Sequence, residues 1–283
     1  MAVRDITLGQ YFPGDSCIHR LDPRVKIICT LVYLVSLFVV QSFAAFALCI
    51  ALLALVIGLS HIPFKFISKG LKPIMLLIIF TMLINLLFTS TGDLLVQLGP
   101  VKITRDGVYR ACFMGLRLVL LIFGSSLLTL TTKPIELTDG LEKLLTPLAK
   151  IGLPAHELAM MMTIALRFIP TLLDETDKIM KAQTARGADF ENGSLKEKAK
   201  ALVPLLVPLF VSAFRIAGDL AMAMEARCYH GGAGRTRMHQ MKMGKGDAAA
   251  FIVMAFYLAL VILSRQLTFI IDPQAARAFL LSL

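Results

Sequence analysis

The chain has 283 residues, of which 57% are hydrophobic and only 17% are charged. With a mean hydropathy of +0.76, it is too apolar to be an ordinary soluble domain. The formal net charge is +10, and the bases cluster in particular connecting segments. They can therefore indicate orientation in a membrane and contact with an anionic leaflet, without implying binding to nucleic acid.

Five stretches of the chain are apolar and long enough to be membrane spans, which need about 20 mainly apolar residues each. They cover residues 25–40, 43–60, 73–88, 107–130 and 248–268. The sequence therefore predicts an all-α polytopic membrane protein with about five transmembrane helices. We divide it into an N-terminal segment with four spans (1–130), a helical cytoplasmic domain (131–247), and a last span with a C-terminal tail (248–283).

Lysines and arginines predict which ends of the spans face the cytoplasm. They precede the first span and separate the second from the third, at Arg20, Arg24, Lys26, Lys65, Lys69 and Lys72. We therefore expect a cytoplasmic N-terminus, an external loop at residues 92–106, and a cytoplasmic domain over residues 131–247.

That cytoplasmic domain is richer in charge than the spans but keeps a helical pattern. A short amphipathic helix is predicted around Leu141–Leu148, followed by two long helices that begin near Pro154 and Ser194. Residues 203–211 could instead enter the membrane. Two prolines and the following Arg215 and Asp219 make a full span costly, so we place this segment at the interface or in the cytoplasm.

Both long helices finish with a small residue and an arginine. One ends Ala185-Arg186-Gly187, and the other ends Ala226-Arg227-Cys228. A small residue allows close approach of a partner, a nearby glycine allows the turn that stops the helix, and a guanidinium can pair with a carboxylate in bidentate fashion. Two matching ends favour a paired docking surface. The alternative is that each arginine only complements its helix dipole.

Three polar residues fall within the predicted spans: Asn85, Arg110 and Arg117. Polar groups at such depth are costly, which suggests partners. One interpretation is a polar seam that faces another subunit or the substrate route. The alternative is that Arg110 reaches to the interface and Arg117 is paired internally.

Catalytic and metal-binding signatures are incomplete in this sequence. Gly244-Lys245 lacks the glycine and the hydroxyl residue of a phosphate loop, and His156-Glu157 lacks the second histidine of a zinc protease, where Met160 stands. The five cysteines show no zinc-type spacing. We therefore expect a non-catalytic chain that holds neither metal nor cofactor, with any ATP chemistry in another chain.

Several motifs together resemble the EcfT subunits of energy-coupling factor transporters, and the likeness extends along nearly the whole chain. They are Gly9-Gln10-Tyr11-Phe12-Pro13-Gly14, His19-Arg20-Leu21-Asp22-Pro23-Arg24, Thr132-Lys133-Pro134 and Ala165-Leu166-Arg167-Phe168-Ile169-Pro170-Thr171.

The resemblance implies a multi-pass subunit of a bacterial-type plasma membrane. It implies two partner ABC ATPases of the EcfA and EcfA′ type, which would use ATP and Mg, and a membrane-embedded S-component that takes up a vitamin or a transition-metal ion. The ATPase-docking roles would fall on Ala185-Arg186-Gly187 and Ala226-Arg227-Cys228, where Cys228 departs from the usual small residue. A membrane enzyme and a scaffold without transport remain as alternative classes.

Overall fold

The computed structural model describes residues 11–40, 42–89, 94–98, 101–147, 152, 154–188, 190, 195–231 and 243–271. Helices dominate this part of the chain. In order they are α1 (Pro23–Val39), α2 (Phe43–Ser60), α3 (Phe64–Lys69), α4 (Met75–Phe88), α5 (Arg105–Thr131), α6 (Pro134–Leu145), α7 (Ala155–Ala185), α8 (Leu195–Ala226) and α9 (Lys245–Ile271). A short 3₁₀ turn, Lys72–Ile74, leads into α4.

Three of the apolar helices begin at a side chain that caps their free backbone N–H groups. Asp22 accepts a hydrogen bond from the Arg24 backbone at 2.9 Å and is followed by Pro23, whose missing N–H costs nothing at a helix start. Ser42 and Thr104 cap α2 and α5 in the same way. These caps fix the helix starts that apolar composition alone leaves vague.

The segment between α4 and α5, which we expected to be a loop, contains a small β-hairpin. Strands β1 (Leu94–Leu98) and β2 (Val101–Thr104) pair antiparallel, with Leu94 opposite Thr104 and Leu98 opposite Val101. The register shifts between Leu94 and Val96. The hairpin joins two helices that pack on each other, so its strands add a short connection to an otherwise helical fold.

The chain divides into two compact units, described separately here. The first, which we call the membrane unit, comprises Gln10–Gly140 and Met241–Leu283. Its core is formed by α1, α2, α5 and α9, and the side chains of Leu37, Phe46 and Cys49 are among those fully enclosed. Phe46 and Phe113 meet edge to face, with ring centroids 4.6 Å apart.

The second unit, which we call the coupling unit, comprises Met1–Gly9 and Leu141–Gln240. Its main feature is the pair α7 and α8, which run antiparallel. At one end Gln183 donates to the Pro204 carbonyl, at 3.4 Å, and at the other end Tyr229 contacts Met160 near the start of α7. Between these points, many large apolar side chains on both helices are exposed, including Met161, Leu206, Phe210 and Phe214.

Six stretches within the described residues are long and apolar enough to cross a membrane. They are Phe43–Ser60, Phe64–Phe88, Arg105–Thr131, Ala155–Ala185, Leu202–Ala226 and Lys245–Ser264. The predicted fold class, an all-α polytopic membrane protein, is confirmed. Helix α1 has 17 residues, at the short end of the range that can span a bilayer. Helix α7 and the later part of α8 are long and apolar enough to cross a membrane, although we predicted them outside it.

Candidate functional site

The end of α7 is closed by a left-handed turn at Gly187, whose φ is +91°. The Gly187 N–H donates to the Thr184 carbonyl at 2.9 Å, and the Ala188 N–H donates to the Gln183 carbonyl at 3.0 Å. These two bonds form a Schellman motif, which satisfies carbonyls that a helix end leaves unpaired. Arg186 is therefore held at the C-cap position, directly after the last helical residue and before the left-handed turn.

The end of α8 repeats this arrangement at Cys228, whose φ is +55°. The Cys228 N–H donates to the Glu225 carbonyl at 2.8 Å, and the Tyr229 N–H donates to the Met224 carbonyl at 3.0 Å. Arg227 thus occupies the same position as Arg186. This left-handed conformation favours glycine, because a Cβ crowds the backbone there. At the end of α8 a cysteine adopts it. The sequence pointed to nearby glycines as the helix stop, but at this end Cys228 makes the turn.

Both arginines are available to an external partner. Arg186 and Arg227 are exposed, as are Ala185, Ala226 and the two turn residues. Among the residues that the structure describes, neither guanidinium forms an ion pair. Because α7 and α8 are antiparallel, the two arginines lie at opposite ends of the pair, about 45 Å apart for a helix of 31 residues.

The second arginine end is tied to the start of α7 by side chains. The Tyr229 hydroxyl donates to the Met160 sulfur at 2.9 Å and lies 3.4 Å from His156 Nε2. His156 Nδ1 lies 3.2 Å from a carboxylate oxygen of Glu142. We considered His156 only as part of an incomplete zinc-protease motif, and no pattern in the sequence indicated its contact with Tyr229, 73 positions away.

The motif His19-Arg20-Leu21-Asp22-Pro23-Arg24 forms a hydrogen-bonded junction in the membrane unit. Buried Lys26 donates to the His19 carbonyl at 2.9 Å and to the Thr131 carbonyl at 3.0 Å, which joins the start of α1 to the end of α5. His19 Nε2 also lies 3.1 Å from the Phe12 carbonyl. The motif thus positions helix ends.

Helix α9 contributes Asp247 to the same junction. Its Oδ1 accepts from the Asp22 N–H at 2.8 Å, and its Oδ2 accepts from the Gly244 N–H at 2.7 Å. The second bond caps the start of α9, as the carboxylate of a capping box does. One carboxylate therefore fixes the starts of two helices that are 225 positions apart.

The three polar residues of the predicted membrane seam occupy separate environments. Asn85 donates to the Thr81 carbonyl of its own helix at 2.9 Å, and Arg110 is exposed. Arg117 donates to the Val40 carbonyl at the end of α1 at 3.2 Å, and its guanidinium carbon lies 5.1 Å from the ring centre of Phe113. No hydrogen bond between any two of the three is found in the described part of the chain, and the seam stays a prediction.

Comparison with known proteins adds an independent observation. The CbiQ family, described as "Cobalt transport protein", matches residues 14–240. A protein of Clostridium kluyveri named "Energy-coupling factor transporter transmembrane protein EcfT" is 57% identical over 264 residues, covering 93% of this chain and 98% of the relative. The chain belongs to the EcfT family.

Further relatives carry the same name in other bacteria. The EcfT protein of Thermosediminibacter oceani is 57% identical over 88% of this chain and 94% of its own length, and that of Bacillus subtilis is 49% identical over 91% and 97%. The predicted membership of the EcfT family is confirmed, and the chain is a transmembrane component of an energy-coupling factor transporter. Both arginine ends lie within the matched residues 14–240.

Proposed function

We propose that this subunit transmits ATP-driven motion from two ABC ATPases to a membrane-embedded S-component that carries a vitamin or a transition-metal ion. One observation carries the proposal: α7 and α8 end in the same Schellman motif, with an exposed arginine at the same position of each. A dipole-complementing arginine needs no such repeated backbone geometry. Two equivalent partners provide a reason for two equivalent ends.

Each arginine would enter a groove on one ATPase and pair with acidic residues there. The guanidinium fork suits a bidentate carboxylate pair, and the small Ala185 and Ala226 allow close approach. Because the ends are about 45 Å apart, each ATPase would hold one end. Closure of the two ATPases on ATP would then move α7 and α8 together.

The exposed apolar side chains between the two ends would receive the S-component. Val207, Phe210 and Phe214 of α8 are more than half exposed, and exposed apolar patches of this extent mark interaction or membrane surfaces. Movement of α7 and α8 would tilt the S-component and release its substrate inward. ATP and Mg would be used by the ATPases, while this chain would be non-catalytic.

Alanine substitution of the arginines tests the docking role. We expect Arg186→Ala and Arg227→Ala each to weaken ATPase attachment by about 2–5 kcal/mol, because a buried charge pair loses one partner. The double variant should lose attachment and uptake more severely, and lysine should rescue poorly. Arg215→Ala is the matched control, since Arg215 is exposed on α8 but lies away from its end.

Co-purification with both ATPases, together with uptake by reconstituted vesicles, provides the measurement. Normal attachment and normal uptake in the double alanine variant would show that the arginines do not dock ATPases. Attachment without any substrate uptake by the wild-type complex would favour the scaffold class instead.

The orientation that we propose places the N-terminus and the coupling unit in the cytoplasm. Exposed Lys65 and Lys69 belong to the short helix α3 between two spans, where lysines favour the cytoplasmic face of the membrane. A Lys69→Cys variant should resist an impermeant thiol reagent in intact cells and react after permeabilisation. Strong labelling of intact cells would reverse the orientation.

A further inference from the structure

A cavity of about 350 Å³ lies within the membrane unit, between α1, α2, α5 and α9. Its volume falls in the range of about 300–1,000 Å³ that is typical of small-molecule sites. Most of the wall is aliphatic, with Leu53, Val56, Leu127 and Val253 among its residues. An apolar ligand therefore fits the chemistry of the wall.

The wall of the cavity reaches the exposed sides of two helices. Wall residues Leu55 and Leu59 of α2 and Val253 of α9 are each about half exposed. Helices α2 and α9 both qualify as membrane spans, so this exposed part of the wall faces the hydrocarbon of the bilayer. Lipid chains are the molecules that have access to it.

One end of the cavity is polar and basic. Lys26 and Thr131 belong to its wall, as do Leu21 and Gly246. The last two are close neighbours, because a Cβ placed on Gly246 would lie 3.6 Å from Leu21 Cδ2. The residues next to them in sequence, Arg20 and Lys245, are both exposed.

Two carboxylates near this end are already engaged within the protein. Asp22 forms a 3.0 Å ion pair with Arg24, and Asp247 accepts two backbone N–H groups. Asp15 is exposed earlier in the same segment. Among these three exposed residues the bases Arg20 and Lys245 outnumber the acid Asp15 by one, and both bases adjoin wall residues.

We propose that this cavity holds one acyl chain of an anionic phospholipid, whose headgroup lies against Arg20 and Lys245. The site is distinct from the arginine ends of α7 and α8 and does not depend on their role.

Physical reasons for occupancy and for selectivity differ at this site. An empty space deprives the surrounding side chains of dispersion contacts, which an acyl chain restores. The chain gains no hydrophobic free energy by leaving the bilayer, because lipid tails are as apolar as leucine. Selectivity among lipids must therefore come from the headgroup, where each nearby base favours an anionic lipid by about fivefold.

A tryptophan reporter can test the proposal, because the chain contains no tryptophan. We would reconstitute the full-length Leu55→Trp variant in vesicles that contain brominated phosphatidylglycerol or brominated phosphatidylcholine, and measure fluorescence quenching. Ile79→Trp on α4 is the matched control. It is 58% exposed against 51% for Leu55, and both positions lie four or five residues from the helix end on the same side of the bilayer. Leu59→Trp serves as a second cavity reporter should Leu55→Trp fold poorly.

At the cavity reporter, we expect phosphatidylglycerol to associate at least about fivefold more strongly than phosphatidylcholine. At Ile79→Trp, the two lipids should quench equally. Combined Arg20→Gln and Lys245→Gln substitutions should abolish the preference, whereas Lys65→Gln with Lys69→Gln should preserve it. Equal quenching by both lipids at Leu55→Trp would overturn the headgroup assignment, and absence of quenching there would overturn lipid occupancy altogether.

Discussion

The membrane unit and the coupling unit differ in how many of their large apolar side chains are fully buried. In the membrane unit, Leu37, Phe46 and Val261 are almost fully enclosed by neighbouring helices. In the coupling unit, the buried residues described are few, with Ala155 and Ala159 at the start of α7 and Leu205 and Ser212 on α8. Many larger apolar side chains of α7 and α8 are exposed, including Met161, Phe210 and Phe214.

This difference separates residues that stabilise the subunit from residues that serve its partners. A substitution of an enclosed residue in the membrane unit should change the stability of the isolated chain. A substitution on α7 or α8 should leave that stability almost unchanged and alter assembly. The following changes, in order of decreasing expected effect, test the comparison.

Lys26→Met should be the most damaging change, with a loss of about 2–6 kcal/mol. The side chain is buried, and its removal leaves the carbonyls of His19 and Thr131 without their donor, at about 1–3 kcal/mol each. Thermal unfolding in detergent measures the loss. Exposed Lys65→Met is the control, and equal melting temperatures for the two variants would contradict the buried-junction account.

Leu37→Ala and Phe214→Ala compare the two units directly. Leu37 is 0% exposed and should lose about 2–5 kcal/mol, whereas Phe214 is 75% exposed and should change the stability of the chain by less than about 0.5 kcal/mol. Co-purification with an S-component should fall more in Phe214→Ala than in Leu37→Ala. A large drop in the melting temperature of Phe214→Ala would mean that α8 is part of a core.

Gly124→Ala should destabilise the membrane unit by about 1–3 kcal/mol. A Cβ at Gly124 would lie 2.6 Å from a ring carbon of buried Tyr33, so the ring must shift within a packed core. Gly58→Ala, also on a membrane helix, meets nothing within 4 Å and should be neutral or slightly stabilising. Thermal unfolding of both variants provides the test, and similar values for both would refute the close contact.

Tyr229→Phe should weaken the second arginine end by about 0.5–1.5 kcal/mol, because the hydroxyl contacts Met160 and His156 are lost. Binding of the ATPase at this end should fall. The matched change at the other end is Gln183→Met, which removes the hydrogen bond to the Pro204 carbonyl. A double-mutant cycle with His156→Ala should give a non-additive result. Strict additivity would show that the two side chains act independently.

Cys228→Gly should be the mildest change and should stabilise the end of α8 by less than about 1 kcal/mol. Glycine adopts the left-handed conformation without the crowding of a Cβ. The converse Gly187→Cys should destabilise the end of α7 by about 1 kcal/mol. Hydrogen exchange of the last helical amides would measure both, and faster exchange at the end of α8 in Cys228→Gly would mean that the turn is not strained at Cys228.

Much of this architecture could be read from the sequence. Five apolar stretches of about 20 residues predict helices, because a bilayer leaves a backbone few other ways to pair its polar groups. The helix starting at Phe43 and ending at Ser60 coincides with its predicted bounds. Repeated Ala-Arg sequences likewise predict two similar helix ends, since capping is a local property of the chain.

The sequence by itself therefore determined the helical membrane fold and the two arginine ends, both of which depend on neighbouring residues. Only the tertiary structure decided the contacts between distant residues: Asp22 with Asp247, Lys26 with Thr131, and Arg117 with the Val40 carbonyl. It also decided that Cys228 makes the left-handed turn. Such pairings depend on which helix ends meet after packing, and residue spacing along one helix carries no information about the position of another.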